Sequence, residues 1–247
     1  MKIKVPRLRI FAGPNGSGKS TIKEVLSDEL LGIYINPDEI EKEIRQYDFL
    51  DFDIYDISTT KDEIIDFFEH STLLQNVNMV EDISYLKVND NKLIFTDIMV
   101  NSYYASVCAD FIRRKLCEAQ KSFTFETVMS SSDKIEFLKY AKESGYRIYL
   151  YFIATKDPLL NISRVENRVA KGGHTVPKDK IVNRYYRSLE NLSEAIKYSD
   201  RAYIFDNSNH ERTWICEITD GTKVEIQQDS IPNWLNTYLF NISKGTL

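Results

Sequence analysis

Cysteine is scarce in this 247-residue chain. Cys108, Cys117 and Cys216 are too few and too irregularly spaced for a disulfide framework or a metal-binding knuckle. Such usage fits a reducing compartment. Long apolar runs are missing too: none approaches the roughly 20 residues of a membrane span. Residues 1–6 are basic, but their apolar stretch is too short for a secretory signal. Excess positive charge is also lacking. The chain has 32 Lys and Arg against 37 Asp and Glu, a formal net charge of −5, which argues against general nucleic-acid binding. No repeat or low-complexity tract appears. These absences leave a cytoplasmic globular protein with no nucleic-acid or membrane partner, long enough for one large α/β domain with a full core.

The charge that is present is unevenly placed. Residues 46–100 hold twelve Asp and Glu against three Lys, whereas residues 164–187 hold seven Lys and Arg against Glu166 and Asp179. This pattern suggests a basic ligand cleft and an acidic segment to face it.

One dense motif organises the rest. Gly13-Pro14-Asn15-Gly16-Ser17-Gly18-Lys19-Ser20 follows a short apolar run, 8–12, and precedes a helix-compatible segment, 21–31. Strand, glycine loop and helix in that order form a phosphate-binding loop. Its backbone N–H groups turn inward around a polyphosphate, and the positive end of the helix points at the anion. Gly13, Asn15, Gly16, Ser17, Gly18, Lys19, Ser20 and Thr21 are the nucleotide-binding candidates. Lys19 supplies charge for the outer phosphates, and Ser20 offers a hydroxyl to Mg²⁺.

Further along, the pattern alternates. Residues 32–36 read as a second buried strand, ended by Asn36-Pro37-Asp38-Glu39, a good helix start. From 47 to 100 the signal weakens to a helix at 62–74, a hairpin around Asn89-Asp90-Asn91 and an apolar run, 93–96, ending at Asp97 that imitates a Walker B strand. A helix from 102 buries Ala105, Cys108, Ile112, Leu116 and Ala119 on one face. A strand at 123–127 ends in Glu126 and Thr127. A helix at 133–144 has Asp133 and Glu136 placed as a capping box. The nine residues 147–155 read as a parallel strand covered on both faces. In the next helix, up to 170, Leu159, Ile162, Val165 and Val169 form the buried face, with Asn161, Arg164 and Arg168 opposite. After the break at 172–177 a single helix runs to about 198. A last core strand, 201–205, ends in Asp206-Asn207-Ser208. A hairpin turning at Asp220-Gly221 and a short helix at 234–240 close the chain.

Five strands alternating with helices predict a mostly parallel five-stranded sheet with helices on both faces, a P-loop NTPase fold. Its ligand belongs at the carboxyl ends of the strands, where Asp38, Glu126 and Asp206 converge. Asp38 is placed to orient a substrate hydroxyl, or only to complement a helix dipole. Arg164 and Arg168, one turn apart before two glycines, read as a mobile helical lid or as an ordinary solvated face.

The ordered set 11–21, Asn36-Pro37-Asp38, Phe125-Glu126-Thr127, Ile153-Ala154-Thr155, Arg164-Val165, the Gly-Gly-His-Thr-Val-Pro turn and Asp206-Asn207-Ser208 resembles the zeta-toxin-like P-loop kinases. The resemblance implies a nucleotide-kinase-like domain at 1–208, with an insertion at about 47–100 and a C-terminal hairpin-helix extension at 209–247. It implies transfer of a phosphoryl group from ATP or GTP, with Mg²⁺, to a hydroxyl, such as that of UDP-N-acetylglucosamine, and a small antitoxin as partner. Lys19 becomes the phosphate lysine, Asp38 the base and Arg164 a lid arginine. Glu126 and Thr127 become substrate contacts, and Arg168 and His174 further lid candidates. Glu41 and His174 stand where the toxins carry arginines, which is closer to a broader branch of predicted ATPases and kinases. The alternatives are a kinase of another small acceptor, such as a nucleoside, sugar or antibiotic, and a nucleotide-binding switch or regulatory ATPase.

Overall fold

The computed structural model of the chain describes residues 5–173 and 175–240. Among the described residues the strands are β1 (Arg7–Ala12), β2 (Ile33–Ile35), β3 (Phe49–Asp51), β4 (Lys87–Asn89), β5 (Lys92–Ile94), β6 (Phe123–Thr127), β7 (Arg147–Ala154), β8 (Arg201–Asp206), β9 (Thr213–Thr219) and β10 (Lys223–Ile226). The α-helices are α1 (Asp28–Leu31), α2 (Pro37–Tyr47), α3 (Lys61–Glu69), α4 (Thr72–Asn76), α5 (Ser102–Glu118), α6 (Ser132–Glu143), α7 (Pro158–Ala170), α8 (Lys178–Glu190), α9 (Leu192–Lys197) and α10 (Asn233–Leu235). The chain divides into two units, 1–32 with 124–247, and 33–123.

The first unit is built on a sheet whose strands run β10-β9-β8-β7-β1-β6. β1 pairs with β7 in parallel, Arg7 opposite Arg147 through Ala12 opposite Phe152, and β7 pairs with β8 in parallel from Tyr149 opposite Arg201. The apolar runs of β1, β7 and β8 place Leu8, Ile10, Ile148, Leu150, Phe152 and Ile204 in the core without exposure. α6 and α9 pack on β7. In total the sheet counts seven strands, where the sequence predicted five. The extra two are β9 and β10: the terminal hairpin, expected as an extension packed on the domain but not as part of its sheet, joins the edge at β8 through a bulge between Ile204 and Phe205. Joining an open edge satisfies a row of backbone groups that would otherwise face water. The turn itself is as expected, with Asp220 and Gly221 both at positive φ.

Several helices depart from the sequence reading. The segment after the phosphate loop is a 3₁₀ helix, Lys19–Val25, interrupted by an extended Leu26 before the four-residue α1. α6 is capped at Ser131, and no side-chain capping bond forms, so Asp133 and Glu136 make no capping box. The helix expected to reach 198 breaks at Asn191, whose side-chain amide donates to the Met129 carbonyl at 3.0 Å. The 234–240 helix is α10 followed by a π-helical turn, Asn236–Phe240.

The second unit is organised around α5. Tyr104, Ala105, Cys108, Ile112 and Leu116 on that helix are fully buried, while Ala119, its C-cap residue, is exposed. α2, α3 and α4 pack against it, with Phe52 and Phe67 edge-on to Phe111. The hairpin at Asp90-Asn91 exists, and β3, which the sequence did not suggest, extends it to a three-stranded antiparallel sheet in the order β3-β5-β4. The single helix expected at 62–74 is two, because Ser71 caps α4 anew with its hydroxyl. Cys108 is the small core residue expected of it, and burial pushes its thiol above the ordinary range.

Candidate functional site

The phosphate loop bridges the end of β1 and the 3₁₀ helix. Two asparagines from distant parts of the first unit hold it. Asn161, in the first turns of α7, donates its amide to the Asn15 carbonyl at 2.7 Å and receives the Thr155 hydroxyl on its Oδ1. Asn207, just past β8, donates to the Ser17 carbonyl at 2.8 Å, while its backbone N–H bonds Ala154 at the end of β7. These grips explain two glycines. A Cβ at Gly16 would lie 2.6 Å from the Asn161 carbonyl oxygen, and one at Gly18 would lie 2.3 Å from Asn207 Nδ2. Both residues also sit at positive φ, where a side chain adds strain.

Asn161 corrects the sequence reading of α7. It was assigned to the exposed side, yet it is fully buried, whereas Leu159 is 73% exposed and Val169 lies open. The buried residues of α7 are Val165, as expected, and Asn161, whose amide serves a loop carbonyl. Apolar periodicity has no term for that contact.

Lys19 is buried and folds its ammonium back to the Pro14 carbonyl at 3.0 Å. The Ser20 hydroxyl lies 3.3 Å from both carboxylate oxygens of Glu126 at the end of β6. Thr21 donates to the Gly18 carbonyl at 2.8 Å. Asn15 Oδ1 and Ser17 Oγ are buried with no hydrogen-bond partner, an uncommon state for polar atoms. Hard oxygen donors from Ser20 and Glu126 suit a magnesium ion, which binds through one or two protein oxygens and otherwise through phosphates and water. Among the described residues no group of three His, Cys, Asp or Glu could hold a metal alone.

Thr127 is buried, and its hydroxyl oxygen accepts the Met129 N–H at 3.1 Å, holding the turn after β6. Arg164, one turn beyond Asn161, donates to the Asn209 carbonyl at 3.5 Å, and its Nη1 is buried without a partner. Arg168 is exposed on the same helix. His174 lies outside the described residues. Asp38 belongs to the second unit, in the first turn of α2, where Asn36 accepts its backbone N–H at 2.9 Å and Pro37 opens the helix. The Walker B imitation is not one: β5 is the central strand of the three-stranded sheet, and Asp97 is half-exposed and paired with Lys87 at 2.8 Å.

Asp206 does structural work. It is buried, accepts the Trp234 indole N–H at 2.6 Å and the Ser208 N–H at 2.8 Å, and thereby ties the C-terminal extension to the segment that carries Asn207. Tyr185 of α8 donates to the Thr155 carbonyl at 2.6 Å, and burial, with Asp157 nearby, pushes its phenol above the ordinary range.

Known proteins share parts of this sequence and its fold. Residues 100–217 match the Zeta toxin family, a span that begins after the phosphate loop and covers just under half the chain. Over 63 residues the chain is 33% identical to an uncharacterized protein of Haemophilus influenzae, covering 26% of this chain and 45% of the relative. Among solved structures it is similar to AvrRxo1-ORF1 in complex with AvrRxo1-ORF2 and sulphate ions, at TM-score 0.57 and 14% identity, over 91% of this chain and 61% of that one. The same complex with ATP aligns at TM-score 0.56 and 14% identity, over 90% and 60%. The PezAT toxin-antitoxin system of Streptococcus pneumoniae aligns at TM-score 0.50 and 17% identity, over 97% and 80%. The chain thus spans about half of its sequence relative and about three fifths of the AvrRxo1 chain. At these identities the solved structures speak for the fold.

Proposed function

We propose that this chain, zeta-toxin-like over residues 100–217 and a P-loop kinase in fold, transfers the γ-phosphoryl group of ATP to a hydroxyl of a small molecule. The observation that carries the proposal is Arg164. Three residues before it, Asn161 is bonded to the phosphate loop, and Arg164 itself reaches Asn209 in the segment that also grips the loop. A guanidinium beside such a loop, with one buried nitrogen still open, is what a phosphoryl group gathering charge in transfer requires. A module that binds nucleotide without cleaving it has no use for such a group.

In this reading the backbone N–H groups of 15–20 cradle the phosphates, and Lys19 leaves the Pro14 carbonyl for the outer ones. Ser20 and Glu126 would hold a magnesium ion, which would supply positive charge to offset that of the phosphates. Glu126 thereby moves from the substrate-contact role given by the resemblance to the metal side of the site. Arg164 stabilises the moving phosphoryl group, with Arg168 and His174 as further lid candidates. Thr127 fixes the turn after β6 and through it the acceptor side. Asp38 is the group that orients the acceptor hydroxyl, an assignment that rests on its place in the sequence. ATP is favoured as donor because a fold neighbour is solved with it. A small antitoxin is the proposed protein partner because one neighbour comes from a toxin-antitoxin system and another is solved with a second chain. UDP-N-acetylglucosamine is the first acceptor to try, because the zeta toxins that the sequence resembles use it.

The test is label transfer from γ-labelled ATP, with Mg²⁺, to a panel of hydroxyl compounds that includes UDP-N-acetylglucosamine. Wild-type protein should label one acceptor, and Arg164→Ala and Asp38→Asn should not, while both still bind ATP. Label released only as free phosphate, at equal rates in all three proteins, would overturn the kinase reading in favour of a switch.

A further inference from the structure

Arg212 immediately precedes β9 and was not suggested by any sequence motif. It is half-buried, its guanidinium lies over the Phe205 ring at 5.7 Å, and its Nη1 donates to the Thr21 hydroxyl at 3.2 Å. That hydroxyl spends its own proton on the Gly18 carbonyl, so the two bonds are compatible. Arg212 forms no ion pair among the described residues. Its position is also fixed. Asn207 is bonded to Ala154 and Ser17, Ser208 accepts the Lys156 N–H at 2.7 Å, and Asp206 is anchored by Trp234. The segment from β8 to β9 is therefore bound to both the sheet and the loop, and it delivers one unpaired cation to the first turn after the glycine loop.

We propose that Arg212 binds the phosphate next to the nucleoside. This rests on the kinase reading above, since it presumes a nucleoside triphosphate in the loop. Lys19 and Ser20 serve the outer phosphates and the metal. Thr21 follows them in the chain, one residue further from the outer-phosphate lysine, and Arg212 is bonded to its hydroxyl. A planar guanidinium held against an aromatic ring offers two N–H groups to a phosphate oxygen pair with little rotational freedom left to lose. The site thereby acquires a cation for the inner phosphate that does not depend on the lid, so product diphosphate stays bound after the γ-phosphoryl group has left.

The experiment is titration of ADP, without acceptor, into wild type, Arg212→Lys, Arg212→Gln and Lys19→Ala, by calorimetry at two salt concentrations and by ³¹P resonance. Loss of one charge-assisted phosphate bond should weaken ADP by roughly ten- to a hundredfold in Arg212→Gln. Arg212→Lys should recover part of that and keep its salt sensitivity, and Arg212→Gln should lose some of it. The bound α-phosphate resonance should shift between wild type and Arg212→Lys more than the β resonance. Unchanged ADP affinity in Arg212→Gln, with Lys19→Ala impaired, would overturn the assignment of Arg212 alone. A wild-type protein that binds no ADP would overturn the nucleotide reading and this one with it. If Arg212→Gln does not fold, Arg212→Lys with its ³¹P shifts decides: a β shift larger than the α shift refutes the proposal.

Discussion

Replacing Trp234 by Phe should weaken both the fold of the first unit and its grip on nucleotide, because one indole N–H stands between the C-terminal extension and the phosphate loop. Trp234 and Asp206 are 5% and 7% exposed, and the bond between them is 2.6 Å. Phenylalanine keeps most of the ring contact with Phe152 but supplies no donor. A hydrogen bond to a carboxylate contributes about 1.5–3 kcal/mol. Asp206 keeps the Ser208 N–H, so it is left half-satisfied, not orphaned. The smaller ring adds roughly 1 kcal/mol of lost packing. The sum, about 3 kcal/mol, would lower Tm by about 6–12 °C in a protein of this size. Urea unfolding followed by far-ultraviolet circular dichroism measures the first effect. ATP titration measures the second, and Kd should rise because Asn207, the next residue, donates to the Ser17 carbonyl. Asp206→Asn, which can still accept the indole proton, should cost less on both counts. A Trp234→Phe protein within about 0.5 kcal/mol of wild type, the range of an ordinary surface change, would refute the linkage.

Four further outcomes follow from the site. Glu126→Gln should weaken Mg²⁺ dependence far more than ATP affinity measured without metal, read as a rightward shift of the Mg²⁺ titration of turnover. Gly18→Ala should abolish nucleotide binding while leaving most secondary structure intact, because its Cβ would meet Asn207 Nδ2 at 2.3 Å at a φ of 98°; calorimetry with ATP checks it. Asp38→Asn should lower turnover by about 10²–10⁴ with little change in nucleotide Kd, the scale of a lost general base. In the second unit, the hydrogen bond from Lys115 and the Thr60 cap hold Glu63 below its ordinary carboxyl pKa. A lowered carboxyl stabilises the fold above its unfolded pKa and loses that contribution as pH falls through the folded value. Unfolding of wild type between pH 6 and pH 3 should therefore show a loss that Glu63→Gln lacks.

The readable part of this protein is the part written in periodicities. β1, β7 and β8 announce themselves because a strand covered on both faces needs an unbroken apolar run, and Ala105, Cys108, Ile112 and Leu116 because α5 packs along its length. The glycine loop is legible because its glycines answer a backbone demand visible in any sequence. What periodicity missed is where one polar group meets another across the chain. Asn161 looked solvent-facing because its neighbours on the helix wheel are charged, yet it is fully buried on Asn15. Asp206-Asn207-Ser208 could be marked as a strand end, but nothing local said that Asp206 takes Trp234, 28 residues on, or that Asn207 holds Ser17. Arg212 had no signal beyond being an arginine just before a strand.

These misses gather in one place, and that has a physical cause. A core position is satisfied by any side chain of the right size and polarity, so its requirement spreads over many neighbours and shows as pattern. A loop that must accept a highly charged ligand cannot be held by apolar packing, because its backbone amides have to stay free for the phosphates. Its carbonyls are therefore the only handles left, and Asn161 and Asn207 take them at Asn15 and Ser17. Each amide is then fixed in turn, Asn161 by Thr155 and Asn207 by the β7 backbone. Polar residues that break the helical or strand pattern of an otherwise regular α/β unit are thus expected to converge on the ligand side of the sheet. Asn161→Leu tests this directly. It would set an apolar side chain one turn before the buried Val165 and by helix pattern alone should be neutral, whereas the geometry requires that it free the Asn15 carbonyl and lose ATP binding while the protein remains folded.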